Sequence, residues 1–509
     1  MLMIKDNLIR IVINMWALSG ILLLCGNSLQ HLAWSGFIDH TGEVNFVSVS
    51  WLLYDGHPLY TALDAPERYS LEHGPIAFLV IGGIMKVFGH SPYTAKLVSF
   101  LSVITIIIIS YLWFTEFFRK EIAFWLLGLE AWLLSKWYYV YLARTDILMI
   151  LCMTISLYFA TTRKSRLAVI LGTSIPLGII INLKFHGIFY ALPILVLILK
   201  KQGWKALFTD CLLIACVATI PFLLPNISLL NYIAWVKEAT VHGFSDQIIK
   251  GNLSMAFLLL LVPVSIHLYF GSNPLVVIKR NGLFLGVTII SIVIVSLIGG
   301  KNGSGSHHLA PFVPLIIYFI IVAGSPVSSI FFIPRHQFNR LLLQQINRGL
   351  LLLIFLTTFL NAINAQGRMM RYSCPAYSVS ANMLSELQDI QAKYRGLSMM
   401  IGYGENHTNK IYDQLIPLLV VGGNKYLLDY SALSDMKASG LPIPESTKRK
   451  MDVGETRIWL IPANNIPFNQ DIFDELFRLA FRRNYVLIEK TQYFDIWQYS
   501  GEGKWIVEK

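Results

Sequence analysis

Two carboxylates, Asp39 and Glu43, stand four residues apart in FIDHTGEVNFVSVSWLLYDGHPLY, residues 37 to 60. If that stretch is helical, the i, i+4 spacing puts both on one face. Four more clusters follow: Glu72 and His73 in SLEHGP, Arg144 and Asp146 in YLARTDIL, Lys184 and His186 in NLKFHGIF, and Lys301, His307 and His308 in KNGSGSHHLAP. A carboxylate can take the proton of an attacking hydroxyl, while Lys, Arg or His offsets charge growing on a departing phosphate. Together these residue types fit transfer of a group from a phosphorylated donor.

What must position them is set by composition. Of 509 residues, 55% are hydrophobic and 14% charged, with a mean hydropathy of +0.57. A soluble protein of this length could not cover so much apolar surface, so the chain is expected to cross a membrane many times. The formal charge of +11 lies largely in short loops between apolar runs, where it sets orientation and argues against nucleic acid as a partner. Cys25, Cys152, Cys211 and Cys216 fall in apolar runs and only Cys374 in a polar region, which leaves no disulfide framework and no cysteine metal site.

Apolar runs near the roughly 20 residues a bilayer helix needs occur at 8 to 26, 95 to 117, 122 to 142, 147 to 162, 167 to 183, 187 to 199, 207 to 225, 253 to 271, 283 to 299, 310 to 324 and 349 to 363. The first lacks a small-residue cleavage site before NSLQHLAW and reads as a retained helix with a cytoplasmic N-terminus. The run 76 to 89, IAFLVIGGIMKVFG, is short and reads as interfacial, as does YIAWVKEATVHGF at 232 to 244. With eleven spans, loops bearing Lys5, Arg10, Arg119, Lys120, Arg163, Lys164, Arg166, Lys200, Lys201, Lys205, Lys279, Arg280, Arg335, Arg340 and Arg348 face the cytoplasm, a bias of about two to one over the outer loops. The five chemical clusters then share the outer side. Ionisable groups at membrane depth are expensive and face a cavity, partner or substrate path, so five outer clusters predict one cleft and a lipid-borne phosphate.

Each residue also has a plainer reading. Asp39 and Glu43 could be solvated loop acids or helix N-terminal charges. Arg144 and Asp146 could be a structural pair, and Lys184 could snorkel to the interface. His307 and His308 could anchor the start of a span, and no second His or acid at helical spacing makes them metal ligands. Glu130 lies nearer mid-membrane and reads as a buried hydrogen-bond partner or cavity wall.

The tail after Asn364 alternates short apolar runs (SMMIGYG, KYLLDY, RIWLIP, YVLIE, FDIWQY) with helix-like stretches at 411 to 418 and 470 to 482, the pattern of a small α/β domain. GYGENHTN, 402 to 409, lacks the form of a phosphate loop and reads as a turn. The chain shows no internal repeat and no low-complexity tract.

The run from TGEVNFVSVSWLLYDGHPLY through LEHGP to AKLVSF resembles the first outer loop of GT-C glycosyltransferases, among them the protein O-mannosyltransferases, the lipid A aminoarabinose transferase and related lipopolysaccharide transferases. Those proteins carry an acidic motif, then G-x-P-x-Y, a charged residue before a proline, an interfacial helix ending FG, and a span opening at A-x-[KR]-L. Here the elements are Glu43, Gly56 to Tyr60, Glu72 to Pro75, Phe88 with Gly89, and Ala95 to Leu97. ARTDILMI at 143 to 150 is similar to the family's R-x-D, and NLKFHGIF to its lysine-containing turn. The likeness covers residues 1 to 200 well and the tail hardly at all.

Run lengths and the pattern of the tail predict an α-helical polytopic membrane protein with a small C-terminal α/β extracytoplasmic domain: a membrane part at 1–363, whose first outer loop is 29–94, and a tail at 364–509; GT-C proteins have the same helical membrane part. The resemblance implies inverting transfer of a monosaccharide from a polyprenyl-phosphate donor to a lipid, glycan or protein acceptor, outside a bacterial inner membrane. Glu43 or Asp39 would be catalytic, and Glu72, His73, Arg144, Asp146, Lys184, His186, Lys301, His307 and His308 would bind donor phosphate or substrate. Where the family often has Asp-Glu this chain has Gly42-Glu43, so either Glu43 acts alone or Asp39 supplies the second acid. Family members with and without a divalent metal exist, and this sequence does not decide between them.

Two other classes compete. A flippase or transporter of lipid-linked saccharides also wants a cationic cavity, but predicts broken spans in repeats and polar groups open to both sides. A non-catalytic assembly subunit predicts that Glu43 is dispensable and the tail is not.

Overall fold

The computed structural model describes residues 2–34, 36–37, 42–69, 72–269, 274–324, 356–357, 359–360, 363–364, 366–367, 370, 379–405 and 410–501. Asp39, Cys374, Arg335, Arg340, Arg348, most of the run 349 to 363 and the second half of GYGENHTN lie outside the described residues.

In chain order the helices that matter below are α1 (Leu2–Ala33), α2 (Gly42–Tyr54), α3 (Pro75–Phe88), α4 (Leu97–Thr115), α5 (Lys120–Ser135), α6 (Thr145–Thr162), α7 (Arg166–Leu183), α8 (Ile188–Gln202), α9 (Trp204–Thr219), α10 (Leu229–Ala239), α11 (Asp246–Tyr269), α12 (Pro274–Ile298) and α13 (Val313–Gly324). The tail adds strands β1 (Met399–Ile401), β2 (Ile458–Pro462), β3 (Tyr485–Lys490) and β4 (Phe494–Tyr499) among short helices. Among the described residues eight helices are long and apolar enough to cross a bilayer: α1, α4, α6, α7, α8, α9, α11 and α12. The run 122 to 142 divides into α5 and a 3-10 turn at Tyr138–Tyr141, and 310 to 324 into a 3-10 turn at Ser306–Phe312 followed by α13. At 14 residues, α3 is about 21 Å long, short of the hydrocarbon thickness.

By contacts the chain forms two units, and neither is a continuous stretch. The first comprises Met1–Leu32, Ser99–Pro221 and Gly243–Arg368. Here α7 packs on α6 and α9, α8 on α12, and α11 on α12 and α13. Asp210 of α9 is buried, and it accepts hydrogen bonds from Thr173 Oγ1 at 2.7 Å and Ser174 Oγ at 2.6 Å of α7. A buried carboxyl is tolerable only with such partners, so this acid fastens one helix to the other.

The second unit comprises Ala33–Val98, Phe222–His242 and Met369–Lys509, so contacts group the loop between α1 and α4 with the tail. Its sheet runs β1-β2-β4-β3, with β1 parallel to β2 and the other pairs antiparallel. The helix Glu475–Asn484 is capped by Asp474, which accepts from the Phe477 N–H at 2.7 Å. Its Phe477 and Phe481, one turn apart, are buried against Phe468. KYLLDY is not a strand of this sheet. Its backbone pairs instead with the first loop: the Arg68 N–H donates to Leu427 O at 2.7 Å, and the Asp429 N–H to Arg68 O at 2.6 Å.

Side chains repeat that stitching. Asn231 Nδ2 donates to Tyr60 O at 3.0 Å and Trp235 Nε1 to Thr61 O at 2.8 Å, while Ser446 and Thr447 hydroxyls donate to Asp64 O and Pro66 O. A loop of this length needs such ties, because its buried backbone groups must all find partners.

Candidate functional site

In the first unit, six of the predicted residues come together where helices end. Arg144 precedes α6 in extended conformation, and Asp146 sits in the first turn of α6. Lys184 is the extended residue that stops α7, and His186 lies in the tight turn Phe185–Gly187 before α8. That turn requires glycine at 187, where a Cβ would stand 2.3 Å from Ile180 O. An acid at a helix N-terminus and a base at a helix C-terminus each meet a favourable dipole end.

Lys184 Nζ donates to Asp146 Oδ1 at 2.7 Å, with both side chains almost wholly buried. Arg144 Nε stands 3.8 Å from Asp146 Oδ2, an ion-pair distance rather than a hydrogen bond. Its guanidinium lies 5.1 Å from the Tyr139 ring centroid, and Tyr139 in turn stacks on His307 at 4.1 Å. His308 adjoins His307 at 4.3 Å and His186 at 5.0 Å. His308 is held by Ser304 Oγ at 2.6 Å from Nε2 and by Tyr190, whose hydroxyl donates to its carbonyl at 2.8 Å. Trp137 Nε1 donates to Ser306 Oγ at 3.3 Å, fixing the start of the 3-10 turn that carries His307. Lys301 pairs by backbone with Phe244.

One carboxylate therefore faces two permanent cations and three imidazoles. Asp146 cancels one positive charge and leaves an excess of one with the histidines neutral, which suits a phosphate monoanion or diester. Sequence reasoning misses Tyr139, Tyr190, Ser304 and Trp137. The aromatic run WYYVY, shortly before Arg144, is the available signal for Trp137 and Tyr139. Glu130 is buried in α5, with Ser110 of α4 beside its carboxyl.

In the second unit, α2 presents Glu43 in its first turn, fully buried rather than solvated. Lys96 lies within reach of the Glu43 charge. It donates to Trp34 O at 2.7 Å and to Gly36 O, with the rings of Trp34, Phe37 and Tyr93 around its ammonium at 5.0–5.6 Å. His73 packs on Phe46 of α2 at 5.0 Å, and its carbonyl accepts from the Tyr60 hydroxyl at 2.7 Å. Glu72 is exposed. Burial first, and then the charge of Glu72, push the Tyr232 hydroxyl up to about 12, which keeps it a neutral donor. Arg68 is buried, and burial pulls its guanidinium down to about 10 against the opposing charges of Asp64 and Glu67. Among the described residues no group of three or more His, Cys, Asp or Glu could hold a metal ion.

Residues 72–229 match the family model described as dolichyl-phosphate-mannose-protein mannosyltransferase. The match takes in Glu72, His73, Arg144, Asp146, Lys184 and His186, and leaves out Glu43 and the histidines at 307 and 308. No curated protein sequence matches the chain. The fold is similar to that of ArnT from Cupriavidus metallidurans bound to undecaprenyl phosphate, at 14% identity and TM-score 0.53 over 94% of this chain and 97% of that one. It is similar also to the apo state of ArnT from the same organism, at 15% identity and TM-score 0.52 over 95% and 98%. The mannosyltransferase match over residues 72–229, joined to a fold shared with ArnT along nearly the whole chain, makes this integral membrane protein similar to GT-C glycosyltransferases of the mannosyltransferase/ArnT type.

Proposed function

We propose that the protein transfers a single sugar from a polyprenyl-phosphate donor to a hydroxyl of a lipid, glycan or protein acceptor, with inversion at the sugar carbon. The observation that carries this is the net cationic cluster of Arg144, Lys184 and Asp146, built on helix ends beside three histidines. ArnT, whose fold this chain shares, has been captured with undecaprenyl phosphate, which supports a lipid phosphate as the ligand class.

In this reading Glu43 accepts the acceptor's hydroxyl proton. The oxygen attacks the anomeric carbon, and the bond from that carbon to the phosphate oxygen breaks on the opposite side. The electron pair of that bond leaves with the phosphate oxygen, Arg144 and Lys184 stabilise the additional negative charge the departing phosphate gains, and Asp146 orients both cations. Asp39 is the alternative acid. The site faces the outside of a bacterial inner membrane, with the N-terminus in the cytoplasm and the tail beyond the outer face.

The test is full-length protein in liposomes with radiolabelled undecaprenyl-phosphate hexoses and pentoses and an acceptor extract from the source membranes. Glu43→Gln should lower transfer at least 100-fold, in keeping with loss of a general base. Wild-type transfer by that variant would remove Glu43 as the base. Movement of the lipid between leaflets without consumption of its sugar would favour a flippase instead.

A further inference from the structure

Glu43 sits near the start of a short helix, and what fixes the rotation of that helix decides where its carboxylate points. Two residues on, Asn45 is buried in α2, and its Nδ2 donates to Asp429 Oδ2 at 2.8 Å. Asp429 belongs to the tail, 384 positions away. It is itself held: the Ala432 N–H donates to the same oxygen at 3.0 Å as the cap of helix Tyr430–Ala438, and the Tyr426 hydroxyl donates to Oδ1 at 3.0 Å. Its backbone N–H donates to Arg68 O. Just ahead of α2, the Phe37 N–H donates to Gln414 Oε1 at 3.1 Å, and the tail helix Ile416–Val421 lies against α2.

Residues i and i+2 of an α-helix point roughly 200° apart around its axis. Holding Asn45 against the tail therefore turns Glu43 to the far side of α2. A carboxylate that caps a helix and also accepts from the Tyr426 hydroxyl is a rigid anchor for the Asn45 amide.

We infer that Asp429 and Gln414 are positioning residues for the transfer reaction: the tail sets the rotation and the entry of α2, and thereby aims the Glu43 carboxylate. This gives the tail a part in turnover. The inference rests on the assignment of Glu43 as the base.

The experiment compares Asn45→Asp, Asp429→Asn, their double variant, Gln414→Met and Glu43→Gln in the full-length protein, reading kcat and KM of transfer alongside binding of undecaprenyl phosphate. Asn45→Asp sets a second carboxylate against Asp429, and the two cannot both stay charged at contact. Misaiming a catalytic group by about 1 Å costs on the order of 100-fold, so kcat should fall about 10- to 100-fold with undecaprenyl phosphate binding unchanged. The double variant removes the repulsion between the two carboxylates, but the atom of residue 429 that met both Asn45 and the Ala432 N–H can then serve only one of them, as an amide nitrogen or as an amide oxygen. That variant should recover part of kcat. Gln414→Met, which leaves the Asn45 pair intact, should lower kcat in the same direction and keeps the test readable if Asn45→Asp does not fold. Wild-type kcat in both Asn45→Asp and Gln414→Met would overturn the inference, as would a double variant no faster than Asn45→Asp, or a parallel loss of lipid binding. If Glu43→Gln is inactive while those variants are normal, only this inference fails. If Glu43→Gln turns over normally, the assignment of the base fails and takes this inference with it.

Discussion

Asp146 makes the buried Lys184 tolerable, and the pair tests whether the cluster serves structure, chemistry or both. Breaking a buried pair by removing one partner typically costs about 3–5 kcal/mol, whereas replacing both by neutral groups of similar shape is often harmless. Lys184→Met should therefore lower the thermal midpoint in detergent, and Asp146→Asn/Lys184→Met should largely restore it. The double variant should still bind undecaprenyl phosphate at least tenfold more weakly, since a lost charge-assisted hydrogen bond is worth about 1.5–3 kcal/mol. Wild-type affinity in the double variant would make the pair purely structural. The ionic residues of the cluster were legible in the sequence because charge is rare in such a chain. Their neighbours Tyr139 and Tyr190 were not, because aromatic residues at a span end are ordinary.

At the scale of elements, α2 and α3 are in close contact through Gly82. A Cβ there would lie 2.3 Å from the Tyr54 ring and 2.7 Å from Ser50 O, the latter being backbone that cannot swing away. Gly82→Ala should destabilise the protein by about 1–3 kcal/mol, the usual cost of overpacking, and depress transfer because α2 carries Glu43. Gly286→Ala, where a Cβ would meet nothing within 4 Å, is the matched control and should be neutral. Thermal unfolding followed by tryptophan fluorescence reads both; equal stability would mean that α2 and α3 slide apart without strain. Run lengths foretold α3 to within a residue, since apolar composition and a leading proline define it. They misplaced KYLLDY, whose alternation is that of a strand but whose hydrogen-bond partner is Arg68 in the first loop.

For the whole molecule the open quantity is orientation. Lys393 in the tail and Lys164 in the loop before α7 are both exposed, and the basic-loop bias puts them on opposite sides. On a background lacking the five native cysteines, Lys393→Cys should react with a membrane-impermeant maleimide in intact spheroplasts, and Lys164→Cys only after permeabilisation. The reverse pattern would invert the topology. The sequence by itself determined that the chain crosses a membrane many times and which charged residues stand out, because hydrophobicity and charge are local properties that add along the chain. By contacts, residues 33–98 and 222–242 group with the tail, and no run length along the chain foretells that grouping. Only the tertiary structure decided that Asp146 pairs with Lys184, that Glu43 is buried, and that Asn45 reaches Asp429. Hydrogen bonds and ion pairs are chosen by distance in space, and residues 38 or 384 positions apart leave no local pattern that links them.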